Sequence, residues 1–281
     1  MEEKIERLKQ SIELNPNLSK DLKQSITSLA TTLVSVYPDY DYSTLTDKLS
    51  NLIINVKESD NYFSYDEQAN TLGYNTTKIL NDGIDLQHLF LDNMLEMNSK
   101  VNFGYEAFKT GITEIISSTI NEDTSMKKLN VREFLLASTF TKIVDPQIIL
   151  NSYMSGSMVD IIMALDTIGV NKEEFDSLCA SFSKLNDPSK NNTSFSDAEI
   201  QMIEMYNKKI AFGIQNGVYS FDDISPLYKN FEGTLISNRS ELISLYPRHD
   251  FSNMTGFERV APALENAIVN TEIIEVEERV K

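Results

Sequence analysis

Residues 86–114 read LQHLFLDNMLEMNSKVNFGYEAFKTGITE, and they decide how this chain folds. Apolar side chains fill most positions of the first half, so a helix formed there is buried around most of its circumference. Helical geometry places His88, Asp92 and Glu96 on one face, because they are spaced four residues apart. A buried carboxylate without a partner is costly, so we expect Asp92 and Glu96 either to line a cleft or to be paired.

The composition changes from helical to strand-type just before this helix. Aromatic and β-branched residues at positions 62–65 and at Thr71–Tyr74 flank the polar turn DEQAN. This pattern predicts an antiparallel hairpin over residues 62–74, with a buried helix over residues 86–97 beside it.

A second helix is predicted over about residues 105–120, crossing the first. In this arrangement Thr110 and Glu114 face Asp92 and Glu96. The predicted apolar stripe of the second helix consists of Phe108, Ile112, Ile115 and Thr119. Gly111 lacks a side chain and allows a neighbouring helix backbone to approach closely.

The rest of the chain has helical periodicity. Before the hairpin it predicts helices over residues 2–14, from Ser19 to about Val36, and after Ser43, the last with Leu45, Leu49, Leu52 and Ile53 turned inward. After residue 130 it predicts helices over residues 131–143, 146–154, 157–168, 172–185, 196–215, 221–230, 232–245 and 257–270, with an exposed loop over residues 186–193. The predicted fold class is mainly α with a small β element (α+β). Residues 1–130 form a core that contains the hairpin, and residues 131–281 form a helical subdomain packed on it.

Charge and cysteine content exclude several classes of function. The formal charge of −17 argues against nucleic-acid binding, which needs a cationic surface, and against docking on anionic lipid. The first residues, MEEKIERLKQSIEL, are charged and lack the apolar segment of a signal peptide, so we expect a cytoplasmic protein. The single cysteine, Cys179, forms no disulfide within the chain, and its apolar helical surroundings predict a buried structural thiol.

The active-site core of zincin metallopeptidases has the same order of elements as this region. The order is strand, turn, strand, short loop, apolar helix and second helix. The chain resembles bacterial zincin-like proteins that read approximately H-E-L-L-H-M-x-S followed by N-E-G-x-T-E. DNMLEMNS at residues 92–99 aligns with the first motif, and KTGITE at residues 109–114 aligns with the second. The retained residues are Leu95, Met97, Ser99, Gly111, Thr113 and Glu114.

The resemblance implies that the catalytic machinery has been replaced. In a zincin, two imidazoles bind Zn²⁺ and the glutamate between them activates water. Here Asp92 and Glu96 stand at the imidazole positions, and Thr110 stands at the position of the third ligand. Asn93 occupies the position of the catalytic glutamate, and an amide cannot accept the proton of the water.

Glu114 aligns with a carboxylate that orients a zinc-binding histidine in such families. The resemblance implies that it has no such histidine to orient here, since the only histidines are His88 and His249. We expect His88 to be a structural hydrogen-bonding residue. The expected environment of the carboxylates is a polar cluster with Lys109, Thr110 and Thr113.

The sequence therefore predicts a catalytically inactive protein that binds no zinc and no other cofactor. Its expected role is to bind a protein or peptide in the former substrate cleft, and the acidic charge favours a basic or amide-rich segment. One alternative is a hydrolase that holds Ca²⁺, Mg²⁺ or Mn²⁺ on Asp92, Glu96 and Glu114. The other is a helical scaffold protein whose similarity to zincins is accidental.

Overall fold

The structure is a computed structural model that describes residues 1–58, 61–98, 105–121, 130–185, 187, 191–245, 260, 262–263 and 266. Ser99 and His249 lie outside these residues, as does most of the helix predicted over residues 257–270.

Helices make up most of the described chain. In order, its elements are α1 (Glu2–Leu14), α2 (Lys20–Val36), α3 (Ser43–Leu49), β1 (Ile53–Val56), β2 (Phe63–Asp66), β3 (Thr71–Tyr74), α4 (Thr76–Asp82), α5 (Leu86–Asn98), α6 (Glu106–Asn121), α7 (Val131–Phe140), α8 (Pro146–Ser155), α9 (Val159–Thr167), α10 (Lys172–Phe182), α11 (Asn191–Gln215) and α12 (Phe221–Leu245). This composition confirms the predicted class, mainly α with a small β element.

The chain divides into two compact units. The first contains Met1–Asn102, Thr113–Leu129 and Met154–Gly156, and the second contains Phe103–Ile112, Asn130–Tyr153 and Ser157–Lys281. Helix α6 contributes its beginning to the second unit and the remainder to the first. The domain boundary near residue 130 stays a prediction.

In the first unit, the N-terminal helices form the base on which α5 packs. Ser19 caps α2 as predicted, since its hydroxyl accepts a hydrogen bond from the amide of Leu22. Helix α1 packs on α2 and α3, and α5 packs on the same two helices.

The sheet of the first unit has the strand order β1-β3-β2. Strands β2 and β3 pair antiparallel, with Phe63 opposite Tyr74 and Asp66 opposite Thr71, which confirms the predicted hairpin. Strand β1 pairs parallel with β3, with Ile53 opposite Thr71. This third strand was not predicted.

The prediction that the third helix continues through Ile53 is wrong, because α3 ends at Leu49. Tertiary hydrogen bonds explain the early end. The Asn70 amide group donates to the carbonyl of Lys48 at 2.7 Å, and the Asn15 amide group donates to the carbonyl of Leu49 at 2.8 Å. Ile53 then donates its backbone amide to Asn70 at 3.0 Å, which starts the strand.

In the second unit, an aromatic cluster fills the core. The rings of Phe140, Phe175 and Phe182 lie 5.1 to 5.6 Å from the ring of Phe108, each in an edge-to-face arrangement. A side chain at Gly111 would clash with the backbone carbonyl of Glu133 on α7, so the close helix approach predicted at this glycine is present.

Two predicted helix boundaries in the second unit are wrong. Residues 221–230 and 232–245 form one helix, α12, because the intervening Phe231 is fully buried and its ring stacks on Tyr206 at 4.1 Å. Helix α11 begins at Asn191, so the end of the loop predicted over residues 186–193 is helical.

Among the described residues, no helix combines the length and the apolar character that a bilayer span requires.

Candidate functional site

Helix α5 starts at a cap that its own sequence supplies. Oδ1 of Asp85 accepts hydrogen bonds from the backbone amides of Gln87 at 2.5 Å and His88 at 3.1 Å. These amides have no partner within the helix, so the cap satisfies them. At the other end, the side chain of Asn98 donates to the carbonyl of Asp41 at 3.1 Å. Both ends of α5 are fixed, and with them the positions of the residues between.

Nearly all of α5 is buried, as its sequence predicts. Asp92 is 4% exposed and His88 is 2% exposed, although both side chains are polar. Helix α5 also lies beside the hairpin, because the rings of Tyr74 and Phe90 are 5.0 Å apart. The predicted buried helix next to the hairpin is therefore confirmed.

Helix α6 brings two further polar residues to this place, Glu114 and Ser117, which lie three residues apart and on one face. Both are fully buried, and both belong to the first unit. The buried apolar positions of α6 are Phe108, Ile112, Ile116 and Ile120. The predicted stripe is therefore wrong at Ile115, which is half-buried, and at Thr119, which is exposed.

Three side chains from the two helices meet inside the first unit, and we call them the His88–Asp92–Glu114 cluster. Nε2 of His88 lies 2.9 Å from Oε2 of Glu114 and 3.6 Å from Oδ2 of Asp92. The hydroxyl of Ser117 donates a hydrogen bond to the other oxygen of Asp92, Oδ1. One nitrogen or oxygen from each member lies within 4.8 Å of the others.

Burial and hydrogen bonding oppose each other at His88. Burial by itself lowers the pKa of the imidazole, but the hydrogen bond to Glu114 and the negative charge of Asp92 outweigh it, so the pKa of His88 is raised. Burial and the charge of Glu114 raise the pKa of Asp92 to about 8, although His88 and Ser117 favour its ionised form. Both shifts retain protons that offset the negative charge of the cluster.

Asn93 stands at the position aligned with the catalytic glutamate, and its amide group does not transfer protons. Its amide nitrogen donates to the carbonyl of Leu89 at 2.6 Å and lies 3.4 Å from the hydroxyl of Tyr74. The residue is 1% exposed. Burial, followed by the charge of Asp92, raises the pKa of the Tyr74 hydroxyl well above its usual value, so it stays protonated. No group at this position accepts a proton from water at neutral pH.

Glu96 and Thr110, the other two residues aligned with zincin ligands, are not members of the cluster. Glu96 is half-buried one turn after Asp92. The hydroxyl of Thr110 donates to the carbonyl of Glu106 on its own helix at 2.9 Å. Thr110 belongs to the second unit, and its predicted proximity to Asp92 stays a prediction.

His88 is hydrogen-bonded, as expected, and its partner is Glu114, a contact that the sequence did not predict. Whether Glu114 orients a zinc-binding histidine stays a prediction. The sequence placed His88 and Asp92 on one helical face, but it associated Glu114 with Thr110 rather than with His88. The spacing of Glu114 and Ser117 was the available signal for the face of α6 that meets α5.

The zinc position that the zincin resemblance implies does not fit these residues. Oδ1 of Asp92 accepts the hydrogen bond of Ser117, and the hydroxyl of Thr110 is used by its own helix. Neither Asp92, Glu96 nor Thr110 supplies an imidazole, which zincins use at two of these positions.

Glu199 is a fully buried carboxylate in the second unit. Oε2 of Glu199 on α11 accepts a hydrogen bond from Arg239 on α12 at 3.0 Å, and the side chain of Glu199 is fully buried. Burial raises the pKa of Glu199 to about 7, and Arg239 lowers it only in part. The other oxygen of Glu199 has no hydrogen-bond partner among the described residues.

Cys179 is buried, as predicted, and burial raises the pKa of its thiol. A protonated buried thiol is a poor nucleophile, which agrees with a structural role.

Comparison with known proteins found no matching protein-family model, no matching curated protein and no matching solved structure.

Proposed function

We propose that this chain is a non-catalytic protein with a zincin-like scaffold, and that it acts by binding an extended segment of a protein or peptide. Residues of helix α5 support a non-catalytic scaffold. The sheet and the charge of the chain support peptide binding.

Asn93 is the observation that carries the non-catalytic part. Its amide nitrogen donates to the carbonyl of Leu89 and lies beside Tyr74, and an amide does not act as a general base. Asp92 next to it is buried and hydrogen-bonded to Ser117. Hydrolysis needs an activated water molecule in contact with the substrate, and a peptide substrate does not reach side chains that are as buried as Asp92 and Asn93.

Strand β1 supports the binding part. It lies at an edge of the sheet, and its side chains Ile53 and Val56 are 38% and 74% exposed. The amides of Ile53 and Lys57 point to β3, where they donate to carbonyl groups. By the alternation of a strand, the amides of Ile54 and Val56 point away from β3, where an added strand pairs with them.

The charge of the chain favours one class of partner. A net charge of −17 attracts cationic segments and repels acidic ones. The proposed ligand is therefore an extended segment rich in lysine, arginine, asparagine or glutamine.

A peptide array of extended, lysine- and amide-rich sequences tests the binding part directly, followed by calorimetry on the sequences that bind. Val56→Pro removes an outward amide and should weaken binding about tenfold or more, whereas Val56→Ala keeps the amide and should weaken it less. Equal affinities for the two variants, or no binding to the array, would refute binding at β1. Cleavage of any bound peptide would refute the non-catalytic part.

Restoring the motif tests the scaffold part. The variant carries Asp92→His, Asn93→Glu, Glu96→His and Thr110→Glu on a His88→Gln background, so that His88 contributes no ligand. Rebuilt imidazole and carboxylate ligands should take up one zinc ion per chain, and the His88→Gln chain alone is the control. A folded variant that takes up no zinc would favour a helical scaffold protein whose similarity to zincins is accidental.

The alternative of a hydrolase with a carboxylate-bound Ca²⁺, Mg²⁺ or Mn²⁺ receives less support. Such ions prefer six or more oxygen ligands and keep bound water. Asp92 and Glu114 are almost fully buried, and Glu114 is hydrogen-bonded to an imidazole.

A further inference from the structure

We propose that the His88–Asp92–Glu114 cluster is a buried binding site for one divalent transition-metal ion, Zn²⁺ above all, within the first unit. The inference does not depend on the proposed peptide binding. The proposed donors are His88, Asp92 and Glu114. Of these, only Asp92 is aligned with a zinc ligand of the zincins.

The spacing of the donor atoms fits one small ion. Bonds of about 2.0–2.1 Å from a tetrahedral Zn²⁺ place neighbouring ligand atoms about 3.3 Å apart. Nε2 of His88 is 2.9 Å from Oε2 of Glu114 and 3.6 Å from Oδ2 of Asp92, which lie on either side of that value. All three residues supply an atom within 4.8 Å of the others, so small side-chain adjustments bring them around a common centre.

The charges also match. Two ionised carboxylates and one neutral imidazole carry a charge of −2, and a divalent cation neutralises it.

Helix α6 orients the Asp92 ligand. The hydroxyl of Ser117 is bonded to Oδ1 of Asp92, which leaves Oδ2 on the side facing His88. Hydrogen bonds of this kind fix the orientation of ligating carboxylates in metal sites. The site thus has an imidazole and a carboxylate on α5, and a carboxylate and an orienting hydroxyl on α6.

The donor set favours a transition ion over Ca²⁺ or Mg²⁺. An imidazole nitrogen suits Zn²⁺ and its neighbours in the first transition row, whereas the alkaline-earth ions take six or more oxygen ligands. The members of the cluster are 0 to 4% exposed, so a bound ion is closed off from substrate. Structural zinc sites usually have four protein ligands, whereas these three residues leave the fourth tetrahedral position to a water molecule, which a substrate does not reach at this depth. This site therefore joins α5 to α6 without adding hydrolytic activity.

The proposal is the opposite of the sequence-based expectation that the chain binds no zinc. The expectation rested on the lack of an imidazole at the positions aligned with the zincin ligands and on a structural role for His88. The contact between His88 and Glu114 supplies the imidazole from one turn earlier on the same helix.

The test uses the full chain, stripped of metal with a chelator and then titrated with ZnCl₂ by calorimetry. We expect one zinc ion per chain and a melting temperature that rises with zinc concentration, by mass action on the folded state. His88→Gln, Asp92→Asn and Glu114→Gln should each weaken zinc binding by roughly 100-fold or more, since each removes one of three ligands.

Two variants serve as matched controls. Glu96→Gln removes a half-buried carboxylate on the same helix, and His249→Gln removes the other histidine of the chain. Both should bind zinc as the unmodified chain does. Loss of binding in Glu96→Gln equal to that in Glu114→Gln would overturn the proposed ligand set, and loss in His249→Gln alone would assign the zinc to a different site.

X-ray absorption at the zinc edge of the unmodified, zinc-loaded chain keeps the test decisive even where a variant fails to fold. The expected spectrum contains one imidazole and oxygen donors at about 2.0 Å. A spectrum without imidazole, or an unmodified chain that takes up no zinc, would refute the proposal.

Discussion

Each unit of this protein buries a glutamate completely, and the two units neutralise it by different means. Glu114 in the first unit is hydrogen-bonded to His88, which is itself buried, with Asp92 beside it. Glu199 in the second unit is hydrogen-bonded to Arg239, whose side chain is 22% exposed. An arginine keeps its charge at every accessible pH, whereas an imidazole gains and loses a proton and also binds metals.

The difference separates a pair with a permanent cation from a cluster whose imidazole can lose its charge or bind a metal ion. The Glu199–Arg239 pair has a permanent positive charge that reaches solvent. The His88–Asp92–Glu114 cluster contains an imidazole that gains and loses a proton. Chelator-treated protein is used for every variant, so that no bound metal contributes to its stability.

The largest expected effect is that of Glu114→Ala. Removing one partner of a buried ion pair leaves the other in the core, which costs about 3–5 kcal/mol of the free energy of unfolding. Glu199→Ala should cost less, about 1–2 kcal/mol, because Arg239 is partly exposed and water can solvate it. Urea denaturation measures both, and equal losses would contradict the comparison.

Glu199 should also give the second unit a distinct pH dependence. Its pKa is about 7 in the folded chain, above the ordinary value of 4.5. Between these values the folded state binds more protons at this group than the unfolded state, so its contribution to the free energy of unfolding falls as pH rises. The total fall between pH 4.5 and 8 is about 3 kcal/mol.

Glu199→Gln should remove this fall. The stability of the unmodified chain minus that of the variant should therefore decrease with rising pH, measured by urea denaturation at several pH values. Glu204→Gln, an exposed position on the same helix, is the control and should leave the pH profile unchanged. A difference that is constant with pH would show that Arg239 compensates Glu199 completely.

The smallest effect concerns two buried serines. Ser117 donates to Asp92, so Ser117→Ala should cost about 1–2 kcal/mol of the free energy of unfolding. The hydroxyl of Ser196 on α11 has no partner among the described residues, so Ser196→Ala should be neutral or stabilising. Thermal denaturation of the two variants is sufficient, and a greater loss for Ser196→Ala would invert the prediction.

Elements with local signals were predictable from the sequence. The hairpin follows from strand-type residues around a polar turn, and α5 follows from its continuous apolar run. Strand β1 was not predictable, because its parallel partner β3 is distant in sequence and Ile53 continues the helical spacing of the residues before it. The end of α3 is likewise set by Asn70 and Asn15, which are not neighbours in sequence.

The distinction between local patterns and contacts distant in sequence also explains which contacts of the candidate site were predicted. The shared face of His88 and Asp92 follows from helical spacing within α5. The contact between His88 and Glu114 depends on how α6 crosses α5, which no local pattern determines. An alignment to zincin motifs directed attention to Thr110, whose hydroxyl is bonded to its own helix.

A double-mutant cycle between His88 and Glu114 tests most directly that the two residues form one buried cluster. The cycle compares His88→Ala, Glu114→Ala and the double variant by urea denaturation, with His88 and Glu96 as the control pair. We predict a coupling energy of about 2 kcal/mol between His88 and Glu114, and about 0.5 kcal/mol or less in the control cycle. Additive effects of His88→Ala and Glu114→Ala would contradict the existence of the cluster.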